Sequence, residues 1–208
     1  MMAPLAKVFG GIGTVLVTLM LIGLGLVLTL NRLTQMLAVL GAAITVAYPF
    51  AKRFISTPQF VLGIAFSWGV PMAFAAQLGQ VPRIGWLLFV VTMAWVVIYD
   101  TEYAMVDRDD DLKLGVKSTA ILFGDLDRVF IGGFQLMFVL GLILVGQSTE
   151  LGVWFLVGLV PAGLLMLYQQ NLIKDRDPHR AFTAFLNNAW AGCFVFLGIV
   201  AAYYFRAF

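Results

Sequence analysis

One cysteine, one histidine and a charged fraction of only 12% narrow this chain before any motif is sought. Cys193 stands alone, so neither an internal disulfide nor a thiolate metal cluster can form. Its place in an apolar run makes it a packing residue. His179 sits in a polar stretch with Asp175, Arg176 and Asp177 and has no second imidazole beside it, so it reads as a solvated loop residue. Soluble domains carry roughly 25% charged residues. A 12% share beside 62% hydrophobic residues points instead to lipid. There is no low-complexity tract, no convincing internal repeat and no long linker, and residues 1–208 read as a single transmembrane domain.

What is present is a series of long apolar runs. A transmembrane β-barrel alternates polar and apolar positions, but Val15 to Leu30 and Val153 to Leu167 are apolar all round. Helices are the remaining way to cross a bilayer, because their backbone hydrogen bonds close within the segment. Spans of about 20 residues are expected near 8–30, 33–50, 58–78, 84–106, 126–146, 151–170 and 182–205, an all-α polytopic bundle of seven helices. The first run is too long for a cleaved signal peptide and no small-residue cleavage site follows it. Pro58 opens a helix, where its missing N–H costs nothing. Pro71 falls inside a span and predicts a kink. Gly132-Gly133 reads as close helix packing.

The few charges are unevenly placed. With a cytoplasmic N-terminus, that side receives Lys7, Lys52, Arg53, Arg108, Lys113, Lys117, Arg128, Lys174, Arg176 and Arg180, against Arg32, Arg83 and Arg206 opposite. Ten against three follows the positive-inside rule. Eight of the eleven acids, Asp100, Glu102, Asp107, Asp109, Asp110, Asp111, Asp125 and Asp127, share that side.

Most of those acids follow one apolar helix. If the helix continues, Asp100, Tyr103, Asp107 and Asp111 lie at offsets of 0, 3, 7 and 11 and share a face. Stacked carboxylates repel, and Asp100 lies close to hydrocarbon, where an ionised group needs a partner. A bound cation answers both demands. All-oxygen donors suit Mg²⁺, which takes one or two carboxylates, water and substrate phosphates, so a diphosphate is the natural complement. Lys113 and Lys117 stand beside the acids as phosphate donors. Tyr48 and Lys52 are one helical turn apart, next to Arg53, on another loop of the same side. Asp109 and Asp110 read as solvated loop acids.

The pattern Asp100-x-x-Tyr103-x-x-x-Asp107-x-x-x-Asp111, followed by Lys113-Leu114-Gly115-Val116-Lys117-Ser118-Thr119, resembles the second aspartate motif of the UbiA family of intramembrane prenyltransferases. Within that family it is most similar to the 4-hydroxybenzoate polyprenyltransferases of ubiquinone biosynthesis. Tyr48-Pro49-Phe50-Ala51-Lys52-Arg53 and Pro71-Met72-Ala73-Phe74-Ala75-Ala76 look like the same subgroup. The resemblance implies a helical bundle around a central cavity and an Mg²⁺-dependent transfer of a polyprenyl group from its diphosphate to the ring of 4-hydroxybenzoate. It implies metal binding by Asp100, Asp107 and Asp111, diphosphate binding by Lys117 with Lys113, Lys52, Tyr48 and Arg53, and an active-site face shaped by Tyr103. The implied setting is a bacterial inner membrane with the acidic loop cytoplasmic, and no nucleic acid partner.

The family's first motif, Asn-Asp-x-x-Asp-x-x-x-Asp, has no counterpart, since no Asn-Asp pair occurs in the chain. The expectation is a bundle that lacks the family's first two helices and pairs with a separate N-terminal piece carrying that motif. Other readings are a catalytically incomplete relative of the family and a divalent-cation transporter, although a transporter would place ionisable residues at mid-membrane in several helices. The acidic spacing does not match a phosphatidyltransferase motif.

Overall fold

The computed structural model describes residues 2–206, and the side chains of residues 2–12, Lys52 and Arg206 lie outside that description. The chain is helical almost throughout, in the order α1 (Met2–Leu28), α2 (Arg32–Phe54), α3 (Pro58–Ser67), α4 (Gly69–Leu78), α5 (Arg83–Val106), α6 (Arg108–Leu114), α7 (Thr119–Phe123), α8 (Asp127–Ser148), α9 (Val153–Leu172) and α10 (Pro178–Arg206). Among the described residues six segments are long and apolar enough to cross a membrane: Arg32–Ala51, Pro58–Leu78, Arg83–Val106, Thr119–Ser148, Val153–Asp175 and Pro178–Phe205. The seventh expected span, 8–30, is helical within α1 but counts only as the shorter apolar stretch Gly13–Leu28, because its first side chains lie outside the description.

Helix α5 is the axis of the bundle and packs against α3, α4, α7, α8 and α10. Its sequence is apolar around the whole circumference, which is what a helix enclosed by others requires. Val91, Ala94, Val96, Val97 and Ile98 are buried on it. Trp95 stacks on Phe138 of α8, and Gly192 of α10 leaves the room that the indole occupies. Helix α1 packs against α2, and its described side chains are mostly exposed, as lipid-facing residues should be.

The expected kink near Pro71 appears as a break. Helix α3 stops at Ser67, α4 starts at Gly69, and Pro71 lies buried in the first turn of α4, where a missing N–H is least costly. In the turn between α1 and α2, Asn31 caps α2 by accepting from Thr34 N (3.0 Å) and donates to the carbonyl of Ala75 on α4 (2.6 Å). Cys193, expected to be a packing residue, is instead exposed on α10.

Helices α9 and α10 form the closest pair. They cross at Gly158 and Gly198, where a Cβ placed on Gly158 would collide with the backbone of Gly198. With no hydrophobic force between helices in lipid, such close approach supplies the dispersion energy that holds them.

Polar groups tie the charged end together. Asp127, fully buried at the start of α8, accepts from Arg176 of the α9–α10 connection through Nε (3.0 and 3.1 Å) and Nη2 (2.9 Å), with Arg108 Nη1 at 3.7 Å. Arg176 Nη2 also donates to the Asp125 carbonyl (2.7 Å), and the bonds to Asp127 hold the guanidinium above its ordinary range. The segment after α6 is anchored separately. Thr119 N donates to Gln59 Oε1 of α3 (3.0 Å), and the hydroxyls of Thr101 and Thr119 share a buried hydrogen bond of 2.8 Å.

Two stability changes follow. Gly158→Ala pushes a methyl against backbone that cannot rotate away and is expected to cost about 1–3 kcal/mol, read as a lower unfolding midpoint in detergent. Arg176→Ala removes the closest cation from the buried Asp127 carboxylate, leaving only Arg108 at 3.7 Å, and is expected to cost about 3 kcal/mol. Adding Asp127→Asn to Arg176→Ala removes the under-compensated charge and should recover part of the lost midpoint; a further loss would show that the pair acts otherwise.

Candidate functional site

The acidic segment begins inside α5 and leaves it at a joint. Asp100 is half-buried in the last two turns of α5, and Tyr103 on the same helix is 37% exposed. Asp107 ends α5 with φ −86° and ψ −1°, its N–H donating to the Tyr103 carbonyl (3.3 Å), while its own carbonyl accepts from Asp110 N (3.1 Å) and Asp111 N (2.8 Å) to start α6. The single continuous face expected for Asp100, Tyr103, Asp107 and Asp111 is therefore interrupted at Asp107. Asp109, Asp110 and Asp111 fall in the first turn of α6, where carboxylates are favoured by the unpaired amides and the helix dipole. That local preference competes with continuing α5 into water. Among the described residues no group of three or more carboxylate, imidazole or thiol side chains is close enough to hold an ion by itself.

Other helices bring in the remaining candidates. Tyr48, half-buried on α2, and Tyr99 of α5 both lie within the electrostatic reach of Asp100, so α2 and α5 present these groups to one another across the bundle. Lys117 donates to the carbonyl of Phe54 (3.2 Å), which fastens the segment after α6 to the end of α2. Gly115 makes that return path possible: with φ +66° it ends α6 in the left-handed region, where glycine carries no Cβ penalty. Ser118 then caps α7 by accepting from Ile121 N (3.3 Å). Arg53 is exposed at the end of α2, and the Lys52 side chain lies outside the described residues.

Lys113 does not join this group. Its ammonium pairs with Asp110 at 2.9 Å with both side chains in solvent, and that hydrogen bond raises its pKa. The wall beside Asp100 is aromatic, with Tyr103 5.2 Å from Phe185 and 6.4 Å from Phe182 of α10, and Tyr99 6.1 Å from Phe185.

Three polar residues given no role in the sequence reading prove central to this end of the molecule. Gln59 carries the Thr119 amide. Asn188 of α10 donates to Glu102 Oε2 (2.6 Å) and accepts from Trp95 Nε1 (3.2 Å), while Glu102 is fully buried and its Oε1 has no partner among the described residues. A glutamine at a helix start and an asparagine inside an apolar helix were the available signals, since polar groups in hydrocarbon demand partners.

The UbiA prenyltransferase family model matches residues 10–205. The chain is 54% identical over 185 residues to a 4-hydroxybenzoate octaprenyltransferase of Coxiella burnetii (strain CbuK_Q154), covering 89% of this chain and 64% of that protein. It is 52% identical to the protein of the same name from Aeromonas salmonicida (strain A449), again covering 89% and 64%. The chain thus spans somewhat less than two thirds of the length of these relatives. Among solved structures, the apo form of a UbiA homolog from Aeropyrum pernix K1 superposes with a TM-score of 0.70 at 26% identity, over 84% of this chain and 66% of that one. A structure of digeranylgeranylglyceryl phosphate synthase shares the fold, with a TM-score of 0.70 at 22% identity over 95% and 69% of the two chains. By the matched family model and the identity to these relatives, the chain belongs to the UbiA prenyltransferase family.

Proposed function

We propose that this chain transfers a polyprenyl group from a polyprenyl diphosphate to the ring of 4-hydroxybenzoate in an Mg²⁺-dependent step of ubiquinone biosynthesis. The observation that carries the proposal is the approach of Tyr48 on α2 to Asp100 on α5, with Lys117 fastened to the end of that same α2, in a chain 54% identical to a protein named for that acceptor. The site belongs at the cytoplasmic face of a bacterial inner membrane, in keeping with the ten basic residues assigned to that side.

The donor set fits Mg²⁺ in kind. Asp100, Asp107 and Asp111 offer only hard oxygen ligands, and carboxylates that do not preassemble around an ion suit one that completes its shell with substrate phosphate oxygens. When bound, the metal would lower the charge on the departing diphosphate. Lys117 spends one ammonium proton on the Phe54 carbonyl and keeps two donors for phosphate oxygens. Arg53, exposed on the same rim, adds a second cation.

As the allylic C–O bond breaks, its electron pair leaves with the diphosphate. Tyr99, Tyr103 and Phe185 present π-faces on which the allylic cation is stabilised. The acceptor's ring carbon ortho to its hydroxyl forms the new C–C bond, and the ring releases a proton to regain aromaticity. Surrounding hydrocarbon keeps water from the cation and takes up the polyprenyl tail.

The test is transfer of radiolabel from a polyprenyl diphosphate to 4-hydroxybenzoate by the purified chain in nanodiscs, with and without Mg²⁺. Asp100→Asn, Asp107→Asn and Lys117→Ala are each expected to lower the rate by about 100-fold or more, whereas Lys113→Ala, which removes only a solvated pair, should leave it within about threefold. Activity that survives both chelation and Asp107→Asn would overturn the metal assignment, and no transfer by the unaltered chain would overturn the assignment of the reaction to this chain.

A further inference from the structure

On the side of the bundle formed by α8 and α9, the two helices splay. Helix α8 leans on α5 and α9 on α10, and between them lies a groove of about 630 Å³. Its rims, Leu136 on α8 and Val160, Leu164 and Leu167 on α9, are exposed. Gly163 gives the groove depth, because a Cβ there would meet nothing within 4 Å. The lining on α8 runs from Gly132 to Ile143, about 17 Å at the rise of an α-helix. One leaflet of a hydrocarbon core about 30 Å thick has much the same depth.

The groove is apolar except at one end. There Gln135 and Gln170 line it, Gln170 Nε2 donating to Gln135 Oε1 (3.0 Å), and Gln135 Nε2 donates onward to buried Gln169 (3.0 Å). Arg128, one turn before Gly132 on α8, donates through Nε to Gln170 Oε1 (3.3 Å) and forms no ion pair among the described residues. Its acidic neighbours are engaged elsewhere, since Asp127 turns inward to Arg176 and Arg108, and Asp125 faces Arg176 at 3.9 Å. Lys174, exposed in the turn that follows α9, is a second cation at the same end of the two helices.

We propose that this groove is a binding site for one acyl chain of an anionic phospholipid, with the phosphate headgroup held at Arg128. The occupant is set by the arrangement: a channel one leaflet deep, apolar along its length, closed by amides at the level where a headgroup begins, and topped by an uncompensated guanidinium. A zwitterionic lipid would fill the channel and offer the same phosphate, but its own headgroup cation offsets that charge and competes with Arg128 for it. The site lies on α8 and α9, apart from Asp100 on α5, Tyr48 on α2 and Lys117 in the segment after α6, and does not depend on the reaction proposed above.

Native mass spectrometry of the delipidated full chain, titrated with phosphatidylglycerol or phosphatidylcholine, reads the site directly. Phosphatidylglycerol is expected to bind about fivefold more tightly, the preference one basic residue at a membrane surface confers. Arg128→Gln should abolish that preference by weakening phosphatidylglycerol adducts more than phosphatidylcholine adducts. Gly163→Leu, which fills the channel without touching backbone, should weaken both lipids and leave the lipid-free unfolding midpoint where it was. Equal binding of the two lipids by the unaltered chain, or undiminished phosphatidylglycerol adducts in Gly163→Leu, would overturn the site. Displacement of bound phosphatidylglycerol by farnesyl diphosphate in the unaltered chain but not in Gly163→Leu would assign the groove to a prenyl tail and overturn the phospholipid.

Discussion

Hydrocarbon offers no hydrogen-bond partner, and that single constraint orders most of what is seen in this chain. Backbone amides close within helices, and the side chains that remain polar at depth must find one another. They do so in pairs that also fasten neighbouring helices: Trp95 and Glu102 of α5 with Asn188 of α10, Gln135 of α8 with Gln169 of α9, and Thr101 of α5 with Thr119 of α7. Each is an interhelical link of modest individual strength. Together they set the rotation of α8, α9 and α10 about the central α5. The glycine contact between Gly158 and Gly198 sets distance, and the polar links set register.

At the charged end the constraint changes from satisfying hydrogen bonds to compensating charge. Asp127 is fully buried there, and Arg176 reaches it from the opposite hairpin with three hydrogen-bond contacts. Arg176 holds a positive φ of 54°, a backbone conformation that a residue other than glycine adopts at some cost. The ion pair keeps the strained turn in place, and the turn aims the guanidinium. With Arg108 on the other side of the carboxylate, the joint after α5, the start of α8 and the α9–α10 connection are fixed relative to one another. The candidate site therefore sits on a braced platform, although none of these three residues is proposed to touch substrate.

How much of this the sequence revealed depends on the kind of signal. Long apolar runs located the helices because bilayer thickness prescribes their length, and Pro71 marked a real break because its ring removes a hydrogen bond wherever it sits in a span. The break came three residues earlier, at Trp68, since proline is tolerated in the first turn of the helix it begins. Helical offsets placed Asp100 and Tyr103 on α5 but carried the same helix too far, because an even rotation per residue takes no account of three aspartates that suit the first turn of a new helix better than the end of an old one. Lys113 and Lys117 looked alike in spacing and differ in fate. Asp110 lies three residues before Lys113, a helical neighbour that claims it, whereas Lys117 falls beyond Gly115 and reaches α2. Long-range partners such as Gln59 with Thr119, 60 positions apart, leave no periodic trace in a single sequence.

The interrupted helix at Asp107 carries a consequence for how the site works on the proposed function. Three carboxylates held rigidly on one face would repel one another whenever the metal is away, and the protein would bear that cost through every cycle. Dividing them between α5 and α6 across a joint would let the charges stand apart in the absence of a cation. The joint is held on both sides, by Arg108 against Asp127 and by Lys117 against the Phe54 carbonyl, so the rearrangement required is a local adjustment about Asp107. An Mg²⁺ held by these carboxylates would draw its remaining ligands from the diphosphate. On the proposed function, ionisation would then wait until the leaving group stood beside the aromatic wall at Tyr103 and Phe185.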